Sequence, residues 1–152
     1  MIAIKTARKS DLKDVQELNH QLFLFDINFE SELNMNWTYA EGREYLLKRI
    51  QGEGVCLIAL VESQIVGYLT GSVSERESWR NVIWSELETI FVKEQLRSKG
   101  VGSELVKAFI SWSKQNNADR ITVSMFAKNE EAVKFYRVCG FTDESIDLQY
   151  FL

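Results

Sequence analysis

Residues 84–103, WSELETIFVKEQLRSKGVGS, decide the fold of this chain. The segment Trp84–Val92 predicts a strand, the polar stretch Lys93–Lys99 predicts a basic loop, and the apolar spacing after it predicts a helix from Gly100 to about Gln115. A further strand is expected over Arg120–Phe126, from its β-branched and apolar residues. Strand, helix and strand in this order predict a right-handed crossover between two parallel strands.

The elements around this unit predict one mixed sheet with helices on both faces. In chain order they are a strand at 2–8, a helix from Ser10 to Phe25, a loop or broken helix at 26–37, a helix from 38 to 51 with a Thr38-x-x-Glu41 capping box, a hairpin of strands at 55–61 and 65–73, a helix from Asn129 to before Gly140, and a last strand region from Phe141 that could hairpin back through 148–152. We expect an α/β fold with six or seven strands, as a single domain over residues 1–152.

Composition limits the possible partners. The 152 residues are 45% apolar and 26% charged with a net charge of -4, which is typical of a soluble globular domain and disfavours nucleic acid as a partner. The longest apolar run, Val55–Val61, is too short to span a membrane, and the first residues show no signal peptide. Cys56 and Cys139 lie in apolar patterns, so we expect reduced thiols in the cytoplasm. With His20 the only histidine, we expect no metal site.

Gly100 and Gly102 open the predicted helix, where unpaired N–H groups and the helix dipole favour an anion. Arg97 and Lys99 add positive charge beside them. The turn is not a P-loop, because Gly102 is not followed by Lys and Ser or Thr, and it lacks the third glycine of the dinucleotide-binding fingerprint. The glycines alone are equally consistent with a simple turn.

The pattern Arg97-x-x-Gly100-x-Gly102, placed after a strand, resembles the acetyl-CoA-binding motif of the GNAT superfamily of N-acetyltransferases. Downstream, NEEAVKFYRVCGF at residues 129–141 is similar to the Asn-x-x-Ala-x-x-Phe-Tyr-x-x-x-Gly-Phe segment of that family. The resemblance covers nearly the whole chain, is specific over residues 87–141 and is looser over residues 20–80.

The resemblance implies a sheet that is splayed at its centre, with the pantetheine arm of acetyl-CoA lying in the gap and its pyrophosphate at the helix N-terminus. Carried onto this sequence, the implied acetyl-CoA contacts are Ile90, Phe91, Val92, Arg97, Ser98, Lys99, Gly100, Val101, Gly102, Ser103, Asn129 and Tyr136.

The implied reaction is direct attack of an amine on the thioester, which needs a base for the ammonium proton and an acid for the leaving thiolate. The family motif makes Tyr136 the expected acid. Glu88 is the expected base, because the two-residue period of a strand places it on one face with Ile90 and Val92. Glu86 is a rival on that face, and a chain of water molecules is a third alternative.

The expected function is N-acetyl transfer from acetyl-CoA to a primary amine of a small cationic molecule or of a protein or peptide. Carboxylates and aromatic rings in two loops would suit a cationic acceptor: Asp26, Glu30, Glu32, Trp37 and Tyr39 in one, and Glu75, Glu77 and Trp79 in the other. The alternatives are an acyl-CoA-binding sensor of the same fold without activity, and an unrelated α/β nucleotide-binding domain. The apolar segment Leu148–Leu152 could close the sheet or pair across a homodimer.

Overall fold

A computed structural model describes residues 1–152 and shows five strands in one sheet, in the order β1-β2-β3-β4-β5. The strands and α-helices are β1 Ile2–Thr6, α1 Leu12–Asp26, α2 Glu41–Ile50, β2 Val55–Val61, β3 Gln64–Val73, β4 Trp84–Val92, α3 Val101–Gln115, β5 Arg120–Val123 and α4 Glu130–Val138, with short 3-10 helices at Lys9–Asp11, Met35–Tyr39 and Glu94–Leu96. Strands β1 to β4 pair antiparallel, and β4 pairs with β5 in parallel. The predicted parallel pairing of the two strands that α3 connects is therefore confirmed.

Helices cover both faces of the sheet, which explains why β2 is apolar at every position. On one face α1 and α2 bury Leu18 and Leu46 in a cluster with Ile58 of β2. On the other face the alternate residues of β2, such as Leu57, belong to a second cluster. This cluster also contains Phe109 of α3 and Tyr136 of α4. A strand with two buried faces loses the alternation of apolar and polar residues.

The predicted count of six or seven strands is wrong, because no strand forms after α4. Residues 142–147, TDESID, are rich in the Asp, Glu and Ser that strands disfavour. Glu144 pairs instead with Arg120 (3.5 Å), and Asp143 pairs with Arg137 (3.0 Å). The apolar side chains beyond them, from Ile146 to Leu152, are exposed.

The start of α2 also differs from the prediction. Thr38 does not cap this helix, because it lies buried in a 3-10 helix and its hydroxyl donates to Met35 O (3.0 Å). Ala40 occupies the N-cap position instead. The capping box predicted from Thr38 and Glu41 is therefore wrong, although the helix itself is present.

A β-bulge interrupts β4 at Glu88. Thr89 pairs with Thr70 of β3, but the next pair joins Leu87 to Gly71, so Glu88 has no partner in the register. The extra residue reverses the alternation of side chains along the strand. As a result Leu87 and Ile90, three residues apart, both pack on the α3 face. The prediction that Glu88 shares a face with Ile90 is therefore wrong.

No helix in the chain is long and apolar enough to cross a membrane. Cys56 is buried, Cys139 is partly buried, and both are free thiols. A cytoplasmic location stays a prediction.

Candidate active site

The sheet opens between β4 and β5. The two strands pair only over Trp84–Leu87 and Arg120–Val123, so the second half of β4, residues 88–92, has no neighbour on this edge. The gap that results begins directly after the bulge at Glu88. The splay implied by the family resemblance is therefore present in this chain.

Backbone hydrogen-bonding groups of β4 face into this gap. The N–H of Lys93 donates to Val66 O on β3 (2.9 Å). Because successive residues of an antiparallel strand turn their N–H and C=O groups to opposite edges, the groups of Val92 and Ile90 point away from β3. The N–H groups of Ile90 and Val92 and the carbonyl of Ile90 are thus open to an extended ligand, whereas the carbonyl of Val92 accepts from Arg97 Nε.

The turn before α3 presents a series of unpaired N–H groups. Ser98 and Gly100 both have left-handed backbone conformations, with φ of 58° and 86°, and glycine tolerates this conformation without strain. The first N–H of the helix with a backbone acceptor is that of Glu104, which donates to Gly100 O (3.0 Å). The N–H groups from Ser98 to Ser103 have no backbone acceptor. Such an array at a helix N-terminus suits an anionic group.

A cavity of about 670 Å³ joins this turn to the gap in the sheet and reaches the end of α1. It is lined mainly by apolar side chains, with few charged groups. Of the residues predicted to contact acetyl-CoA or to act in catalysis, all but Lys99 and Val101 line it: Glu88, Ile90, Phe91, Val92, Arg97, Ser98, Gly100, Gly102, Ser103, Asn129 and Tyr136. Lys99 is exposed and Val101 is in the core.

The Arg97 side chain lies in the cavity wall and extends from the turn before α3 toward α1. Its Nε donates to Val92 O (3.0 Å), and its guanidinium lies 5.2 Å from the ring centres of Phe25 and Phe91. This position lets Arg97 brace the end of β4 against α1 while it contributes positive charge to the cavity.

Tyr136 and Asn129 belong to α4, which forms another wall of the cavity. The Asn129 side chain accepts the N–H of Ala132 (3.2 Å), so Asn129 is the N-cap of this helix. Tyr136 is 6% exposed, and burial, the Cys139 thiol and the Asp26 carboxylate raise the pKa of its hydroxyl. Its phenol therefore stays protonated at neutral pH, as a proton donor must.

Glu88 lines the cavity, but four donors occupy its carboxylate. Arg49 Nε and NH2 donate at 2.8 and 2.7 Å, and the hydroxyls of Ser72 and Tyr45 donate at 2.7 and 2.5 Å. Burial opposes ionisation of this group, yet these hydrogen bonds outweigh it and lower the pKa of Glu88 below its ordinary value. Glu88 is consequently a weak base, and its geometry favours a positioning role over proton abstraction. Glu86 is exposed and lies outside the cavity.

Asp26, the last residue of α1, lines the same cavity in a different electrostatic situation. Its carboxylate makes no side-chain hydrogen bond or ion pair, and burial raises its pKa from 3.8 to about 6. Asp26 was expected in an acceptor loop, and its place at the end of α1 in the cavity wall was not predicted. The signal was present in the sequence, because the helical spacing Leu18, Leu22, Asp26 continues the apolar stripe to a carboxylate at the helix C-terminus, where the dipole disfavours an anion.

The other residues predicted to hold the acceptor lie outside this cavity. In the first loop, the Trp37 ring stacks on Phe23 with centroids 5.4 Å apart. In the second loop, Trp79 is 69% exposed and stacks under Arg80. Neither tryptophan is near enough to line the space beside Tyr136.

The fold and the site described above agree with the family that a comparison of the sequence identifies. Residues 15–141 match the model described as the acetyltransferase (GNAT) family. The match covers most of the chain, and the chain therefore belongs to the GNAT acetyltransferase family.

Curated and solved relatives agree with this family. The chain is 36% identical over 67 residues to the uncharacterized N-acetyltransferase YvbK of Bacillus subtilis (44% of this chain and 43% of the relative). It is 30% identical over 100 residues to the L-amino acid N-acetyltransferase AaaT of Escherichia coli (63% of this chain and 58% of the relative). The chain thus spans less than two thirds of the length of either relative. A structure of the aminoglycoside N-acetyltransferase AAC(6')-Iy in complex with CoA superposes with a TM-score of 0.77 at 19% identity, covering 100% of this chain and 95% of that one.

Proposed function

We propose that residues 1–152 act as a single acetyltransferase domain that moves an acetyl group from acetyl-CoA directly to the primary amine of a small cationic molecule. The observation that carries this proposal is the unpaired edge of β4 at residues 88–92, which leads from the free N–H groups before α3 to the Tyr136 side of the cavity. An extended arm with an anionic group at one end fits that path. The relatives named for L-amino acids and aminoglycosides support a small amine over a peptide.

Each part of acetyl-CoA finds matching chemistry in the proposed site. The N–H groups of 98–103 would hold the pyrophosphate, with Arg97 adding charge, and the backbone of Ile90 and Val92 would pair with the amides of the pantetheine arm. The Asn129 side chain lies on the α4 side of the same path.

The chemistry requires no covalent intermediate on the protein. A neutral amine attacks the thioester carbon, the C–N bond forms, and the C–S bond breaks as the thiolate leaves. Tyr136 would donate its phenolic proton to that thiolate and would recover one from the nitrogen, directly or through solvent. Counted from the neutral amine the net products are the amide and coenzyme A thiol, and counted from the ammonium ion one proton is also released.

The experiment that tests this function separates binding from turnover. Calorimetry with acetyl-CoA should give measurable heat for the wild type, a small loss of affinity for Gly102→Ala, and at least a tenfold loss for Gly102→Asp, since a carboxylate would lie among the anion-binding N–H groups. The alanine variant controls for the Cβ, which would meet the Phe135 ring at 3.1 Å. Absence of heat for the wild type would overturn the proposal.

Release of coenzyme A thiol should then be measured with an aminoglycoside, a set of L-amino acids and a set of polyamines. Thiol release with at least one of these amines supports the transferase. Tight acetyl-CoA binding with no thiol release from any amine would instead indicate the acyl-CoA-binding sensor. If ATP or NAD displaces acetyl-CoA, the chain is instead an α/β nucleotide-binding domain of another class.

A further inference from the structure

We propose that Asp26 is the general base of this site: its carboxylate takes the proton from the ammonium group of the acceptor before the amine attacks the thioester. This proposal rests on the transferase function and gives Asp26 the role that the strand periodicity had given to Glu88. It follows from the position, burial and hydrogen bonding of the acidic side chains that line the cavity.

Three carboxylates line the cavity, and only one combines burial with free oxygens. The carboxylate oxygens of Glu88 already accept hydrogen bonds from Arg49, Tyr45 and Ser72. Glu131 is exposed in the first turn of α4, so its carboxylate is open to solvent. Asp26 is half-buried and has no hydrogen-bond or ion-pair partner, so its lone pairs face an open cavity.

The surroundings of Asp26 keep its charge uncompensated. The side chains of Leu22 and Phe25 lie beside it in the cavity wall. The charged or titratable groups that line the cavity are Glu88 and Arg97 from the β4 end and Glu131, Lys134 and Tyr136 from α4. Tyr68 of β3 is also close enough for the Asp26 charge to raise the pKa of its hydroxyl. None of these groups forms an ion pair with Asp26.

The position of Asp26 relative to Tyr136 suits the reaction. Asp26 of α1 and Tyr136 of α4 both line the cavity, and the Asp26 charge contributes to raising the pKa of the Tyr136 hydroxyl. With Asp26 as base and Tyr136 as acid, the proton leaves the nitrogen on one side and reaches the sulfur on the other. Burial raises the pKa of Asp26 to about 6, which is closer to neutrality than that of an ordinary carboxyl and makes it a stronger base.

The proton balance of the proposed step is complete. Asp26 accepts one proton from the ammonium ion, which becomes a nucleophilic amine, and returns that proton to solvent after product release. The second nitrogen proton replaces the one that Tyr136 gives to the coenzyme A thiolate. No oxidant, metal or protein nucleophile takes part.

The test compares Asp26→Asn with Asp14→Asn, the same substitution at an exposed site on the same helix. With the amine that gives the fastest thiol release, Asp26→Asn should lower kcat at neutral pH by about 100-fold or more, and Asp14→Asn should leave it unchanged. The dissociation constant of acetyl-CoA should be unchanged in both variants. If Asp26 only attracted the cationic acceptor, KM would rise and kcat would hold, which would overturn the proposal.

A pH profile distinguishes a base from a structural residue. The wild type should lose kcat/KM as the pH falls below about 6, the pKa of Asp26. The Asp26→Asn variant should lack that limb, and its rate should rise steadily with pH as the amine in solution loses its own proton. An unchanged acidic limb in Asp26→Asn would overturn the assignment.

Carboxyl NMR gives a readout that needs no acceptor. The resonance absent from Asp26→Asn should titrate near pH 6, and a midpoint near 3.8 would overturn the proposal. These experiments distinguish failure of the transferase function from failure of the base role of Asp26. Without acetyl-CoA binding or turnover the transferase function fails and the base role fails with it, whereas full turnover by Asp26→Asn removes only the base role.

Discussion

Arg49 and Glu88 form a two-point ion pair across the α2 face of the sheet, with Nε–Oε2 and NH2–Oε1 distances of 2.8 and 2.7 Å. Glu88 is the unpaired residue of the β4 bulge, so the ion pair holds the strand at the point where it separates from β5. Arg49 also donates to Glu53 O at the end of α2 (2.8 Å). Through these contacts α2 fixes the position of the bulge and hence of the free β4 edge.

We expect Glu88→Gln to destabilise the fold by about 1–3 kcal/mol, because Arg49 loses its charged partner in a site where both side chains are less than a fifth exposed. The pKa of Glu88 is lowered in the folded state, so its contribution is present above the ordinary carboxyl pKa and is lost as the pH falls through the folded value. The difference in unfolding free energy between wild type and variant should therefore shrink in acid, as chemical denaturation at several pH values can measure.

The same variant also discriminates between the two candidate bases. If Asp26 is the base, Glu88→Gln keeps the acidic limb of the pH–rate profile near pH 6. If the limb moves or disappears in Glu88→Gln and stays in Asp26→Asn, then Glu88 is the base, as the strand periodicity led us to expect.

We expect Tyr136→Phe to lower kcat by about 10²-fold or more while leaving acetyl-CoA affinity within about twofold. The phenyl ring keeps its contacts with Phe135 and Phe141, whose ring centres lie 5.1 and 5.5 Å away, so the wall of the cavity is preserved. Because burial raises the pKa of Tyr136 well above neutrality, its ionisation should not add a limb to the wild-type profile at neutral pH. Steady-state kinetics with calorimetry checks this, and an unchanged kcat would exclude Tyr136 as the acid.

The order of elements could be predicted from the sequence because each depends on local signals. The strands β2 and β4 have the predicted bounds, and α3 begins one residue after the predicted Gly100. The predictions that were wrong concern features that depend on contacts between distant parts of the chain. The predicted strand at 120–126 ends at Val123, since the chain beyond it leaves β4 to open the gap.

The site was predicted in part for a related reason. Family motifs identified the cavity residues on the loop before α3 and on α4, where spacing along the chain is enough. The bulge at Glu88 places its side chain on the opposite face of the sheet from the predicted one. The pattern of apolar and polar residues in β4 gives no sign of the extra residue. The position of Asp26 was not predicted because the sequence from residue 26 onward lacks helical periodicity, whereas α1 continues through Asp26.

Removing residues 146–152 should leave the fold intact. The large apolar side chains in this segment are 77–117% exposed, whereas the ion pairs of Asp143 and Glu144 lie before it. We expect the unfolding free energy of the truncated chain to stay within about 0.5 kcal/mol of the full chain. The same material tests whether this segment pairs across a homodimer, one of the two alternatives that the sequence left open: if it does, sedimentation velocity should show a dimer for the full chain and a monomer for the truncated one.

Asp26→Asn should raise stability at neutral pH. The pKa of Asp26 is about 6 in the folded protein and 3.8 ordinarily, so the folded state binds the proton more tightly than the unfolded state. Stability from this group is therefore greatest below the ordinary value and declines as the pH rises through about 6. With a discount for partial exposure, the cost of the buried charge at neutral pH is about 1–2 kcal/mol, which corresponds to a rise in Tm of about 3–6 °C in the asparagine variant.

This gain should vanish in acid, where the wild-type carboxyl is protonated and resembles the amide. Calorimetric Tm measurements across the pH range check it, with Asp14→Asn expected to give no such pH-dependent gain. A variant that is more stable and yet much slower cannot owe its lost activity to unfolding, and that combination is typical of a residue kept for function at the expense of stability. If Asp26→Asn were instead less stable than the wild type at neutral pH, the Asp26 carboxylate would have a stabilising partner, and it would not be the free base inferred from the cavity.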